Sequence, residues 1–349
     1  MARRTRVASV DQLELFPMGT SRAAPVTDRA LEDRWEALAA LAARLPPGLR
    51  FGTSSWSFPG WAGIVYPSGL DESRLARDGL PLYVRHPLLR TVGIDRGYYA
   101  PIAESELRRY ASQLPPGFPC CSKVPEGFVS PVFLGHGRGE RGEPNPDFLN
   151  TLRFDELVAG PYLSAFSDHL GPMILEFPPV PAAHRLAPSE FAERLDAFLE
   201  AAPKQLPFAV ELRDRSLLTE EYIAVIARHG ASHTYNYWTA MPMPGEQLKL
   251  APPGAASFVV VRLMLRPGTR YEGRKRDFQP FDRLVDPDFE MRAQVTELVR
   301  LVTALGRNIF VLVNNKAEGC APLTIEALAE ACARLKDDLV ASTEPATGT

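Results

Sequence analysis

The sequence predicts an α/β fold in which eight parallel strands and their connecting helices close into a (β/α)8 barrel of the TIM type. Eight short apolar runs recur along the 349-residue chain, and nearly every one ends in polar or charged residues. Helical patterns lie between most of the runs, and this alternation is typical of a parallel sheet. Strands buried on both faces are apolar throughout, so the polar ends predict one shared rim.

The predicted strands and helices alternate in order along the chain. The apolar runs begin at Phe51, Leu88, Phe118, Pro172, Pro207, Ser232, Ser257 and Asn308. The clearest helical patterns span residues 28–44, 105–114, 155–170, 189–202, 219–230, 286–306 and 324–339. Ser189 and Thr219 are favourable N-cap residues, and Gly230 favours the end of a helix. We expect an irregular connection at about 239–256, where proline and glycine are frequent.

One barrel domain accounts for most of the chain, and we assign it residues 49–341. We expect a flexible tail at residues 1–28, a helix with a linker at 29–48 and a disordered C-terminus at 342–349. Prolines 46 and 47 with Gly48 end the first helix immediately before strand one. The length of the chain fits a single barrel with short extensions.

Composition restricts the class of protein. The hydrophobic content of 45% and charged content of 23% are ordinary for a globular chain, and the net charge of −3 creates no overall field that favours nucleic acid. The four cysteines form no CxxC pair, and no apolar run is long enough to span a membrane. No signal-peptide pattern follows the N-terminal arginines. We therefore expect a cytoplasmic protein without a membrane partner.

Polar and aromatic side chains at the carboxyl ends of the strands form the predicted rim, where function is located in barrels of this kind. They are Ser54, Ser55, Trp56, Asp95, Tyr98, Tyr99, Lys123, Glu176, Glu211, Arg213, Asn236, Tyr237, Arg262, Asn314, Asn315 and Lys316. The three acids Asp95, Glu176 and Glu211 and the three bases Lys123, Arg213 and Arg262 can nearly neutralise one another. One interpretation is an ion-pair network that fixes the register of the barrel. The other is a polar pocket for an anionic or hydroxyl-rich ligand, with aromatic walls.

The rim residues favour some chemistries over others. Asp95, Glu176 and Glu211 are the candidate catalytic residues, and their carboxylates could hold Mg²⁺. A zinc site is not expected, because His233 is the single histidine in a predicted strand. A glycosidase usually places an acid on strand seven of a barrel, where this chain has Arg262. The sequence contains no nucleophile elbow, P-loop or dinucleotide fingerprint.

Candidate ligand contacts come from the remaining rim residues and from a basic segment after strand seven. The rim candidates are Ser54, Trp56, Tyr98, Tyr99, Lys123, Arg213, Asn236, Arg262, Asn314 and Asn315. The segment RPGTRYEGRKRDF (266–278), which we expect to be a loop, supplies a phosphate or nucleic-acid patch formed by Arg266, Arg270, Arg274, Lys275 and Arg276. The alternative for this segment is a solvated surface loop.

Six segments carry a family resemblance. They span residues 52–67, 91–100, 121–126, 170–179, 209–216 and 313–329, and the first and last are the most specific. Together they resemble the YecE-like family, also called domain of unknown function seventy-two, over about residues 50–340. The resemblance implies a TIM-type barrel and a site at its rim, but no established reaction. Asp95 stands where many relatives have glutamate, which shortens the reach of that carboxylate.

The N-terminal tail contains a second short resemblance. Residues 12–16, QLELF, are similar to the pentapeptide by which bacterial proteins bind the replication sliding clamp. In such a complex Leu15 and Phe16 would enter an apolar pocket and Gln12 would form hydrogen bonds nearby. The alternative is that this segment packs on its own barrel.

The sequence therefore leads to three functional hypotheses. The first is a barrel that binds a phosphate-bearing ligand, including nucleic acid, at its rim and hydrolyses phosphoesters with the assistance of a metal. In this hypothesis Asp95, Glu176 and Glu211 hold the metal or act as base. Lys123, Arg213 and Arg262 stabilise the phosphate charge. The second is a non-catalytic, DNA-associated module that the tail recruits to the sliding clamp. The third is a carbohydrate-active enzyme. Whether the protein is an enzyme is left open.

Overall fold

Eight parallel strands form one sheet, in the order β1-β8-β7-β6-β5-β4-β3-β2, in the computed structural model, which describes residues 28–135 and 139–343. The strands are Leu49–Thr53 (β1), Val92–Ile94 (β2), Cys120–Lys123 (β3), Leu170–Phe177 (β4), Phe208–Leu212 (β5), Ser232–Tyr237 (β6), Phe258–Leu263 (β7) and Asn308–Val313 (β8). All eight predicted strands are confirmed, and with their surrounding helices they form a nearly closed (β/α)8 barrel.

The barrel closes between β1 and β2, where no regular ladder joins the strands. The carbonyl oxygen of Phe51 accepts hydrogen bonds from the N–H groups of Arg90 (2.8 Å) and Thr91 (3.2 Å). Gly52 is required at this seam, because a Cβ atom there would lie 2.2 Å from the carbonyl oxygen of Thr91. The close approach of two backbones therefore replaces a full ladder at the point of closure.

Helices surround the sheet and connect its strands. They are Asp28–Ala43 (α1), Glu72–Asp78 (α2), Leu80–Tyr83 (α3), Glu104–Ala111 (α4), Glu126–Val129 (α5), Thr151–Phe154 (α6), Gly160–Ala165 (α7), Pro188–Ala201 (α8), Glu220–Arg228 (α9), Pro244–Leu250 (α10), Tyr271–Phe278 (α11), Phe289–Ala304 (α12) and Ala321–Thr343 (α13). The π-helical turn Asp155–Ala159 links α6 to α7. None of the described helices is long and apolar enough to cross a membrane.

The helix predictions are accurate except at a few positions. Thr219 caps α9 by accepting a hydrogen bond from the Tyr222 N–H, as predicted. Ser189 does not cap α8, which instead begins with a proline at its first position. The helices α10 and α11 lie in segments that were predicted to be irregular. The helix α13 reaches residue 343, so it includes the first two residues of the predicted disordered C-terminus.

Side chains that point into the barrel alternate with side chains that pack against the helices. An apolar layer fills the interior and consists of Cys121, Ile174, Ala209, Phe258, Val260, Phe310 and Leu312. Side chains two residues apart on a strand lie on the same face. The residues two positions beyond Cys121, Ile174, Ala209 and Val260 are therefore Lys123, Glu176, Glu211 and Arg262, which form a charged layer toward the carboxyl ends.

The close approach at the seam leads to a test of Gly52. We expect the substitution Gly52→Ala to lower the free energy of unfolding by about 3 kcal/mol, because the added methyl group meets a backbone carbonyl that cannot rotate away. Urea unfolding would measure the change. Gly273→Ala is a matched control, since a Cβ atom there meets nothing within 4 Å and α11 should gain about 0.5–1 kcal/mol. Equal effects of the two substitutions would contradict the tight seam.

Candidate functional site

Six ionisable side chains converge at the carboxyl ends of five strands. We call this set the charged floor, and it consists of Asp95, Lys123, Glu176, Glu211, Arg213 and Arg262. Arg262 and Glu211 are completely buried, and Asp95 is the most accessible member with 23% of its side chain exposed. The structure thus brings together all three predicted catalytic carboxylates and all three predicted phosphate-binding cations.

Glu176 lies at the centre of the charged floor. Its Oε2 atom is 2.7 Å from each of three nitrogens, namely Lys123 Nζ, Arg213 Nη2 and Arg262 Nη1. Arg213 and Lys123 come from the strands on either side of β4, and Arg262 reaches across the barrel from β7. One carboxylate oxygen therefore connects β4 to three other strands.

The other two carboxylates complete the network. Glu211 accepts a hydrogen bond from Arg213 Nε (3.0 Å) and a second from Arg262 Nη1. Asp95 accepts hydrogen bonds from Arg262 Nη2 with both oxygens at 3.1 Å and lies 3.7 Å from Lys123 Nζ. Three acids and three bases sum to zero charge. These side chains form an ion-pair network, which is one of the two interpretations of the rim residues offered by the sequence. Such a network leaves room for the other interpretation, since a ligand can bind above it.

The network fixes the protonation of its central members. Burial alone would raise the pKa of Glu176, but the Arg213, Lys123 and Arg262 charges outweigh it and hold this pKa far below its usual range. Burial alone would lower the pKa of Arg262, but Glu211, Asp95 and Glu176 raise it well above its usual value. Glu176 therefore stays ionised across the physiological pH range and cannot donate a proton.

The carboxylates of the charged floor do not fit a magnesium ion. Mg²⁺ requires carboxylate oxygens directed at one shared position. Asp95, Glu176 and Glu211 instead direct their oxygens at arginine and lysine nitrogens. Among the described residues, no group of three or more His, Cys, Asp or Glu side chains is placed to hold a metal ion.

Four other predicted ligand contacts belong to the scaffold. Trp56 is buried against Tyr110 of α4 and donates its indole N–H to a backbone carbonyl of α2, so it is not a wall of the rim. Asn236 donates to the carbonyl of Leu212 in the neighbouring strand (2.7 Å). Asn315 Oδ1 accepts from the Trp61 indole (3.1 Å), and Ser54 Oγ lies 3.4 Å from the sulphur of a methionine.

Three aromatic side chains border the charged floor. The Tyr98 ring centroid lies 4.8 Å from Lys123 Nζ, and Tyr98 contacts Tyr99, which is 72% exposed. Trp238 places its ring centroid 3.8 Å from the guanidinium carbon of Arg213. Trp238 was not predicted, although it directly follows β6 and its even number places it on the inward face with Asn236. That alternation was the signal that could have identified it.

Lys316, which follows β8, has no acidic partner in the part of the chain that the structure describes. The residue is 9% exposed, and its Nζ lies 3.4 Å from Asn314 Oδ1 and 4.3 Å from the centroid of the Tyr271 ring. No carboxylate of the described residues lies within ion-pair distance of this ammonium. The sequence analysis placed Lys316 at the rim but assigned it no role. Whether a carboxylate lies beside this lysine can be seen only in the three-dimensional structure.

The basic segment differs from its prediction in two ways. Its second half is the helix α11 rather than a loop. Three of its five cations are paired with aspartates: Arg266 with Asp286 (3.1 Å) and Asp288 (3.4 Å), Arg274 with Asp286 (2.6 Å), and Arg276 with Asp277 (2.8 Å). Arg270 and Lys275 are exposed and form no ion pair with the residues that the structure describes.

The residues of the predicted clamp-binding motif are not among those that the structure describes. Gln12, Leu15 and Phe16 lie outside the described residues, as does the predicted tail except for Asp28.

The central position of Glu176 leads to a test by substitution. E176Q keeps the shape of the side chain but leaves three cations facing two carboxylates. Because breaking a buried ion pair costs about 3–5 kcal/mol, we expect a loss of about this size in the free energy of unfolding at pH 7. E297Q is the control, since Glu297 pairs with Arg300 on the surface (2.6 Å) and such pairs contribute about 0–1 kcal/mol.

The penalty of E176Q should shrink in acid. Because the folded state lowers the pKa of Glu176, its contribution is complete above the unfolded value of about 4.3 and is lost as the pH falls toward the folded value. The difference in unfolding free energy between wild type and E176Q should therefore be about 2 kcal/mol smaller at pH 3 than at pH 7. A difference that does not change with pH would contradict the lowered pKa.

Comparisons with known proteins agree with the barrel fold. A family model described as "protein of unknown function DUF72" matches residues 50–348. A DUF72 family protein from Enterococcus faecalis is similar in structure, with a TM-score of 0.53 and 15% identity over 81% of this chain and 95% of that chain. A DUF72 family protein from Thermotoga maritima gives a TM-score of 0.52 and 20% identity over 84% of this chain and 99% of that chain. None of the curated proteins matches this sequence. The YecE-like resemblance names the same family, and the chain belongs to the DUF72 family.

Proposed function

We propose that the rim of this barrel binds a small phosphate-bearing ligand above the charged floor, with Lys316 as its principal cationic contact. The observation that carries this proposal is the nearly buried Lys316, whose ammonium has no carboxylate partner among the described residues. Buried charges are normally paired, because removing a charge from water without compensation is costly. An anionic group of a ligand would supply the missing partner.

The charged floor supports this assignment by its neutrality. Each of its three cations already contacts at least two carboxylates. These cations therefore contribute more to the structure of the site than to the attraction of an anion. Lys316 lies outside the network and forms no ion pair with the described residues, which makes it the stronger attractor for a phosphate.

The geometry does not favour the hydrolytic hypotheses. Metal-assisted phosphoester hydrolysis needs carboxylates that are available to a metal, and here all three are engaged by cations. A carbohydrate hydrolase needs a carboxylic acid with a raised pKa, whereas the pKa of Glu176 is lowered. We therefore propose ligand binding and assign no reaction to the rim.

Substitution of Lys316 tests the proposal. K316M keeps most of the length of the side chain and removes its charge, so the affinity for ribose 5-phosphate, measured by calorimetry, should fall by about 10- to 100-fold. Without ligand, the unfolding free energy of K316M should equal or exceed that of the wild type, because an unpaired buried charge is removed.

The control for K316M is K275M, which removes an exposed lysine that forms no ion pair with the described residues. K275M should bind ribose 5-phosphate like the wild type. Wild-type protein that does not bind the phosphate ester, or an equal affinity of K316M and wild type, would refute the proposal.

We also propose, as a separate activity that rests on the sequence alone, that residues 12–16 bind the bacterial sliding clamp. The DNA-associated role first attached to this motif receives less support, because only Arg270 and Lys275 of the basic segment are without ion pairs to described residues.

A peptide test separates clamp recognition from the barrel. A peptide of residues 10–18 should bind purified clamp in a fluorescence anisotropy assay, and replacement of Leu15 and Phe16 by alanine should abolish binding, since these side chains would fill the apolar pocket. The full chain with the same two substitutions should keep its affinity for ribose 5-phosphate. Unchanged binding of the substituted peptide would exclude this motif.

A further inference from the structure

The helix α11 is an addition to the connection between β7 and β8. That connection also contains the 16-residue helix α12, and α11 precedes it with only eight residues. Phe278 is the one buried residue of these eight, all of which the structure describes, so packing alone accounts poorly for the helix. In TIM-type barrels a phosphate site often forms from the loops after strands seven and eight and the N-terminus of a short extra helix. The position of α11 is one where an anion site can form.

The first turn of α11 has unsatisfied N–H groups. Its N-cap residue is Arg270, whose side chain makes no capping hydrogen bond, because a guanidinium has donors only. The N–H groups of Tyr271, Glu272 and Gly273, which we call the α11 donors, have no acceptor among the residues that the structure describes. A Cβ atom on Gly273 would meet nothing within 4 Å, so there is open space beside this turn. Such a helix end carries a partial positive charge.

The ammonium of Lys316 lies beside the same turn. Tyr271 is the first residue of α11, and its ring centroid is 4.3 Å from Lys316 Nζ. Lys316 is 9% exposed, and among the described residues its ammonium donates to Asn314 Oδ1 at 3.4 Å and forms no ion pair. Because a phosphate can accept hydrogen bonds of about 2.9 Å on two sides, it can bridge donors that are roughly 7–8 Å apart. One phosphate can therefore contact both Lys316 and the start of the helix.

A second set of contacts connects α11 to the loop of Lys316, independently of the Tyr271 ring. Arg274 Nη2 in α11 lies 2.6 Å from Asp286 Oδ2. The N–H groups of Val285 and Asp286 donate to the carbonyl oxygen of Glu318 at 2.7 and 3.1 Å, and Glu318 is two residues beyond Lys316. The scaffold thus holds the helix and the lysine loop side by side.

The unpaired charges at this helix end favour an anion. Arg270 is exposed and forms no ion pair with the described residues. Glu272 is the single acid of the first turn, and it is also exposed. Water and salt screen an exposed charge more strongly than a nearly buried one. Arg270 and Lys316 therefore outweigh Glu272, and the surroundings of the α11 donors remain positive.

From this arrangement we infer that the phosphate of the ligand lies at the N-terminus of α11, between the α11 donors and Lys316, and that the ligand is a phosphate monoester. The inference rests on the proposed phosphate site and names its backbone contacts and its ligand class. A terminal phosphate carries close to two negative charges and three unsubstituted oxygens, which suit several N–H donors and an ammonium together. An internal phosphodiester of nucleic acid carries one charge and two unsubstituted oxygens, so it fits this set of donors less well.

Substitutions of Arg270 test the position of the phosphate. R270N and R270A both remove the guanidinium, but only asparagine can cap the helix by accepting hydrogen bonds from the α11 donors. Without ligand, R270N should therefore unfold at a temperature about 2 °C higher than R270A. In calorimetry, R270N should bind ribose 5-phosphate about five- to tenfold more weakly than R270A, because the cap competes for the same donors.

A methyl diester tests the ligand class. Wild-type protein should bind ribose 5-phosphate at least about tenfold more tightly than ribose 5-(methyl phosphate), because methylation removes one negative charge and one unsubstituted oxygen. Equal affinities for the two compounds would overturn the monoester assignment.

The same titrations separate this inference from the proposed function. If R270N and R270A bind ribose 5-phosphate equally while K316M binds it more weakly than wild type, the phosphate contacts the lysine but not the helix, and the inference is overturned. An R270N variant that is no more stable than R270A would also overturn it, because the α11 donors would then already be satisfied. If wild type binds neither ester, or if K316M has no effect, the phosphate site itself is refuted.

Discussion

The contact of Glu176 with Lys123, Arg213 and Arg262 is the interaction on which the carboxyl end of the barrel depends. A barrel lumen of this size is normally filled with apolar side chains, and here that filling stops one layer below the rim. Charges in the next layer are tolerated because each one has partners of opposite sign. The network thus joins strands that share no ladder and holds the rim in one arrangement.

The neutrality of the charged floor also limits how strongly it can attract an anion to the rim. A site with three free cations would attract any anion, whereas a balanced floor contributes little long-range field. Under the proposed function, recognition depends on Lys316, whose ammonium has no carboxylate partner among the described residues, and on the aromatic ring of Tyr271 beside it. Such a site would discriminate by shape as well as by charge.

The strands could be predicted from the sequence because each is a short apolar run, and the rim because polar residues follow these runs at the same end. The order of the strands places Glu176 and Glu211 side by side, but it does not reveal that Arg262 reaches across the barrel to both. Trp56 was misplaced because the chain turns after β1, so the alternation no longer applies. The helix α11 was missed because it is almost entirely polar and buries Phe278 as its sole core residue among those described.

The balance of three acids and three bases also constrains how this surface can change through evolution. Loss of one charge leaves a charge of opposite sign without its partner in the interior. A single replacement therefore lowers the stability of the fold even at a position that contacts no ligand. Replacements that remove one acid together with one base avoid this penalty. The six charges should therefore be inherited as a unit, and we expect divergence among relatives at this layer to proceed through compensated pairs while the aromatic rings above it vary independently.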